Sequence, residues 1–100
     1  MSQYDTYSLH DFLVHTPESG LRKILVDNKR MTDVHCNLLL KIAKGCDGNQ
    51  FTEFFEKGEF PKLRFGPAEK KIQEKFWGDC TALLLERGIL QPATHQKVAA

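Results

Sequence analysis

Apolar residues recur along this chain at helical spacing, in five blocks parted by residues that stop helices. Leu9, Phe12 and Leu13 make an i, i+3, i+4 face, and Ser8 with Asp11 resembles a capping box, so a first helix is predicted over 9–15. Thr16-Pro17 interrupts it. Thr16 is placed to cap a second helix, with Pro17 at the first position, where a missing N–H costs nothing. Leu21, Ile24 and Leu25 carry the apolar face of that helix, predicted over 17–28, and Asn28-Lys29-Arg30 reads as the turn that follows.

The third block differs in kind. Thr32 reads as an N-cap, with Asp33 at the positive end of the helix dipole. Over 33–44 the polar residues Asp33, Asn37, Lys41 and Lys44 form one narrow stripe, while Val34, Cys36, Leu38, Leu39, Leu40, Ile42 and Ala43 cover most of the circumference. A helix apolar on so many sides is buried on several of them, so this is the expected central helix, stopped by Gly45.

Asp47 or Asn49 can cap a fourth, short helix over 50–57, whose Phe51, Phe54 and Phe55 share one face before Gly58 ends it. Such a short helix is marginal alone and depends on burying those rings. Residues 59–66 contain Pro61 and alternate imperfectly, which predicts an extended connector and at most one edge strand. Gly66-Pro67 opens the longest helix, over 67–87, with Ile72, Phe76, Cys80 and Leu83 in its stripe. Gly88 ends it, and Ile89-Leu90 are placed to fold back in a Schellman-type contact. Gly78, in mid-helix, costs roughly 1 kcal/mol against Ala and is read as room for another helix to approach. The expected architecture is all-α: one compact helical domain over 1–90 and a flexible tail over 91–100.

Composition narrows the class. At 100 residues and 11.5 kDa the chain allows one domain, large enough for a core without metal or disulfide staples. No apolar run exceeds the four residues Ala82-Leu83-Leu84-Leu85, against roughly 20 for a membrane span. The opening Met1-Ser2-Gln3-Tyr4-Asp5 lacks the basic and apolar regions of a signal peptide, and the first 20 residues hold no Lys or Arg, unlike a transit peptide. Cys36, Cys46 and Cys80 are odd in number with no CxxC pair, which reads as reduced thiols in a cytoplasmic protein.

Motifs for chemistry are scarce. Neither GxGxxG nor a Walker-type loop is present, and Asp47-Gly48-Asn49 with Glu53 does not fit the spacing of an EF-hand. His10 and His15 stand about 140° apart around a helix, and His35 and Cys36 about 100°, so neither pair shares a face for a metal. Cys46, in a turn, is the most accessible thiol, yet the adjacent Asp47 works against thiolate formation. No catalytic residue, metal or cofactor is expected, and the chain is read as non-enzymatic. A ligand-sensing or enzymatic protein would instead need a closed apolar pocket with convergent polar groups.

Charge is balanced overall, 14 bases against 13 acids, but it is laid out in blocks. Residues 1–20 sum to −3, 21–46 to +4, 47–59 to −3, 60–71 to +3 and 72–100 to zero. Seven of the ten aromatics lie between Phe51 and Trp77, and Phe60 and Phe65 sit on the connector among Lys62 and Arg64. Aromatic and Arg residues on a rigid segment are what protein interfaces use as anchors. Phe60, Lys62, Arg64, Phe65 and Trp77 are therefore the expected partner-binding residues, against the alternative that Phe60 and Phe65 simply seal the fourth and fifth helices. The function this implies is a small regulator, adaptor or inhibitor that binds another protein, and a homodimer would suit its size. The alternative is a nucleic-acid-binding protein using the basic stretches 22–30 and 62–71, which requires the two to join.

Overall fold

The third block dictates the architecture, because a helix that is apolar over all but one narrow stripe must be packed on several sides by others. A computed structural model describes residues 4–92 of the chain and places five helices there: α1 (Thr6–His15), α2 (Glu18–Leu25), α3 (Asp33–Lys44), α4 (Gly48–Lys57) and α5 (Pro67–Glu86). The fold is all-α, and α3 is central: it packs against α1, α2 and α5, while α4 packs against α1. His35, Cys36, Leu38, Leu39, Leu40, Ile42 and Ala43 of α3 are buried. They meet Leu9 and Leu13 of α1, Leu21 and Leu25 of α2, Phe51 of α4, and Phe76, Cys80, Leu83 and Leu84 of α5 in one continuous core. Each such fully buried large side chain contributes about 1.5–3 kcal/mol relative to exposure. The Cα radius of gyration is 13.3 Å, as expected for this length.

Helix ends differ from the sequence expectation wherever a cap is supplied by a different residue. α1 starts at Thr6, not at residue 9, because Asp5 is its cap: Asp5 Oδ1 accepts the Ser8 N–H at 3.1 Å, and Oδ2 accepts the Ser8 hydroxyl at 2.7 Å. Ser8 is thus the third residue inside the helix. Thr16 does not cap α2; its N–H closes α1 on Phe12 O at 3.0 Å, and Pro17 takes the cap position. α2 stops at Leu25, three residues short of the prediction, because Val26 is extended and Asn28 adopts a positive φ of 36°. The turn is held by the Asp27 N–H donating to Met31 O at 2.7 Å. α4 begins at Gly48 rather than 50, with Asp47 accepting the Gln50 N–H at 2.8 Å and Gln50 Oε1 accepting the Asp47 N–H at 3.1 Å.

α5 ends as the glycine predicts. Gly88 takes φ 73°, the Ile89 N–H reaches Leu84 O at 3.0 Å and the Gly88 N–H reaches Leu85 O at 3.1 Å, a Schellman closure. Gly78 is a correction: it is exposed, and a Cβ built there meets nothing within 4 Å, so none of the five described helices approaches it closely. Residues 59–66 are non-helical as predicted, but no strand forms among the described residues. Among the described residues one bridge joins Tyr4 to Pro92, and the Asp5 N–H donates to Gln91 O at 2.8 Å. The remainder of the expected tail, residues 93–100, lies outside the described residues.

Candidate functional site

The connector between α4 and α5 brings the candidate residues together, and aromatic packing determines how. Trp77 lies between rings: Phe60 stacks on it at 5.8 Å with 24° between planes, and Phe55 and Phe76 meet it edge-on at 5.3 and 5.1 Å. Its indole N–H donates to Glu59 O at 2.9 Å, which pins the start of the connector to α5. Phe60 also leans on Phe76 at 5.8 Å and meets Phe65 edge-on at 5.8 Å. Phe51 and Tyr4 extend the array through Phe55. The crowding of aromatics in this part of the chain is thus resolved by ring-on-ring packing. Phe60, Phe65 and Trp77 are all half-buried in it, while Lys62 and Arg64 point outward and are exposed.

The far end of the connector crosses the C-terminal turn of α3. Lys41 Nζ donates to Arg64 O and to Glu69 Oε1, both at 3.0 Å, and Glu69 Oε1 also accepts the Gly66 N–H at 2.8 Å. Glu69 sits at the third position of α5, where a carboxylate both caps the helix and answers its dipole. The Gly66 N–H first, and Lys41 after it, hold the Glu69 carboxyl below its ordinary range. Lys41, Leu63, Arg64, Phe65, Gly66 and Glu69 together line an open cleft of about 670 Å³. Its floor is mainly apolar. Sequence reasoning singled out Arg64 and Phe65 of this group but missed Lys41, Leu63, Gly66 and Glu69. Only the Glu three residues after Gly66, ahead of an apolar helix, signalled the cap that holds the corner.

The two basic stretches do not join. α3 and α5 run antiparallel: Lys41 pairs with Glu69 at one end, His35 Nε2 lies 3.6 Å from Asp79 Oδ2 midway, and Arg30 pairs with Glu86 at the other end. Stretch 22–30 therefore sits at the N-terminal end of α3 and stretch 62–71 at its C-terminal end, about 18 Å of helix away. They also differ in how much charge is spent. Arg22 donates to Asp33 and Glu18, both at 2.9 Å, and Arg30 reaches Glu86 and Asp27. Arg87 pairs with Asp27 at 3.3 Å. Of the four arginines, Arg64 alone has no ion pair among the described residues, and neither have Lys62, Lys70 and Lys71 of the same stretch of sequence.

The three thiols and the imidazoles of His10 and His35 are engaged in packing, whereas His15 is exposed beside Asp11. Burial pushes the Cys36 and Cys80 thiols up, Cys80 strongly, and Cys46 is raised by burial and by Asp47. The Cys46 S–H donates to Ile42 O at 3.1 Å. His10 Nε2 lies 2.8 Å from Ala43 O and 2.9 Å from Cys46 O, and His35 Nδ1 accepts the Thr32 N–H at 3.2 Å. Among the described residues no three of His, Cys, Asp or Glu converge as metal ligands would, and no helix is long and apolar enough to cross a membrane. No family model matches the chain, and no curated protein or solved structure matches it either.

Proposed function

We propose that this protein is a small non-enzymatic interaction module, a regulator, adaptor or inhibitor, that binds another protein through the connector and the start of α5. The observation that carries this reading is the contrast among the arginines: three are spent on internal ion pairs, whereas Arg64 stands exposed and, among the described residues, without an ion pair, beside a half-buried aromatic. An unspent guanidinium next to apolar surface on a well-held segment has the character of an interface anchor. Phe65 supplies the ring at that surface. Phe60 and Trp77 stand behind it and fix its position through the ring array.

The separation of the two basic stretches favours a protein partner over nucleic acid. A phosphate backbone is met by a continuous run of free cations, and here Arg22 and Arg30 are already paired with carboxylates. Affinity capture with Lys62→Glu/Arg64→Glu beside the unaltered protein tests the reading, run with a sizing measurement that reports a homodimer. Proteins retained by the unaltered chain and lost from the variant, at equal thermal stability, are the expected result. An unchanged set of captured proteins would show that this surface is not the interface. Retention on generic DNA at low ionic strength, abolished by the same variant, would favour the nucleic-acid alternative instead.

A further inference from the structure

We propose that the cleft between α3, the connector and α5 receives an acidic peptide segment of a partner protein, with one apolar side chain of that segment seated on Leu63 and Phe65. This rests on the interaction-module reading and deepens it by naming the partner's chemistry. The floor is held from behind: Leu63 packs against the Gly45 turn, where a Cβ would come within 3.4 Å of its methyl, and Phe65 is braced edge-on by Phe60 at 5.8 Å. Half-buried apolar side chains fixed in this way give an anchor residue a preformed seat.

Charge decides what surrounds that anchor. The one carboxylate in the lining, Glu69, is neutralised by Lys41 and the Gly66 N–H, and Lys41 spends its remaining reach on Arg64 O. Left over in the lining is Arg64, exposed and without an ion pair among the described residues; Lys62 and Lys70, exposed and likewise without one there, adjoin the lining residues Leu63 and Glu69 in the chain, so the net charge around the cleft is positive. A guanidinium fork matches a carboxylate in bidentate geometry, and lysines nearby steer acidic chains without fixing them. A nucleic acid would satisfy the same cations but needs a ring face for its bases. One side of Phe65 already has the Lys41 ammonium 6.0 Å from its centroid, and Leu63 offers no ring at all. An apolar residue flanked by Asp and Glu uses both the floor and the rim.

Selection of short random peptides displayed on phage against the full chain, followed by anisotropy titration of the enriched sequences, tests the proposal. Enriched peptides are expected to be acidic with an aliphatic or aromatic residue among the acids, and to weaken with salt. Their affinity should fall roughly tenfold or more on Arg64→Glu, the loss of one charge-assisted contact, while Lys23→Glu at the opposite end of α3 leaves it unchanged. Acidic peptides that bind Arg64→Glu as well as the unaltered protein would overturn the site. Neutral or basic peptides that are nonetheless lost on Arg64→Glu would overturn the acidic chemistry and leave the interaction-module reading standing. No enrichment at all would overturn both. A single-stranded DNA competitor that binds the cleft more tightly than every selected peptide would also overturn the proposal, as would a homodimer dissolved by Arg64→Glu, which would make a second copy the occupant.

Discussion

Trp77 donates its indole N–H to the carbonyl of Glu59 at 2.9 Å while its ring stacks on Phe60, so one side chain of α5 fixes both the backbone and the first ring of the connector. The candidate surface is therefore held by a residue that is not itself at its mouth. Trp77→Phe keeps an aromatic in the stack and removes the donor. It should cost about 0.5–1.5 kcal/mol in chemical denaturation, the net worth of one hydrogen bond, and should loosen the connector. Faster amide exchange at residues 60–65 in the variant is the confirming signal; unchanged exchange would mean that the ring stack alone holds the segment.

Gly78 is the position where the fold leaves stability unused. It lies inside α5, exposed, with open space where a Cβ would go. Gly78→Ala should stabilise the protein by up to about 1 kcal/mol and raise Tm by about 4–8 °C. A fall in Tm would reveal a close approach at this helix face.

His10 secures the C-terminal end of α3 from a different helix. Its Nε2 faces two carbonyl oxygens, Ala43 O and Cys46 O, so that nitrogen carries the hydrogen and donates to both. His10→Ala leaves both acceptors without this donor and should cost about 1–3 kcal/mol by urea unfolding followed through the fluorescence of Trp77. A loss well under that range would mean that water replaces the imidazole.

Glu69 gives the stability a pH dependence of known sign. Its folded carboxyl is held below the ordinary value near 4.5 by the Gly66 N–H and Lys41. A depressed folded value contributes stability that is present above the unfolded value and is lost as pH falls through the folded one. Urea midpoints of the unaltered protein should therefore decline across about pH 3–6 more steeply than those of Glu69→Gln. Equal slopes would show that other carboxylates carry the acid sensitivity.

Local signals were enough to read the helices and their order. The run from Val34 to Ala43 is apolar around most of its circumference, and burial on several sides follows from that alone. The Gly88 stop and the Pro67 start are likewise local, because a left-handed turn and a missing N–H are properties of single residues. Caps were less legible. Asp5 and Ser8 both carry the right chemistry, and only the realised hydrogen bond shows which of them starts α1. Val26 gave no warning that α2 would stop, since its side chain is compatible with a helix and only its extended backbone shows the end.

Sequence by itself determined an all-α domain built around α3 and a connector rich in rings and cations. Tertiary structure decided which of those charges remain free. Arg22, Arg30 and Arg87 look no different from Arg64 along the chain, yet the first three meet carboxylates, two of them across long sequence separations: Arg30 with Glu86 and Arg87 with Asp27. Tertiary structure also set the antiparallel course of α3 and α5, which places the two basic stretches at opposite ends. The physical reason is range. Helix periodicity and turn chemistry act over a few residues, whereas ion pairing and ring packing depend on which distant segments the closed core brings within a few ångströms.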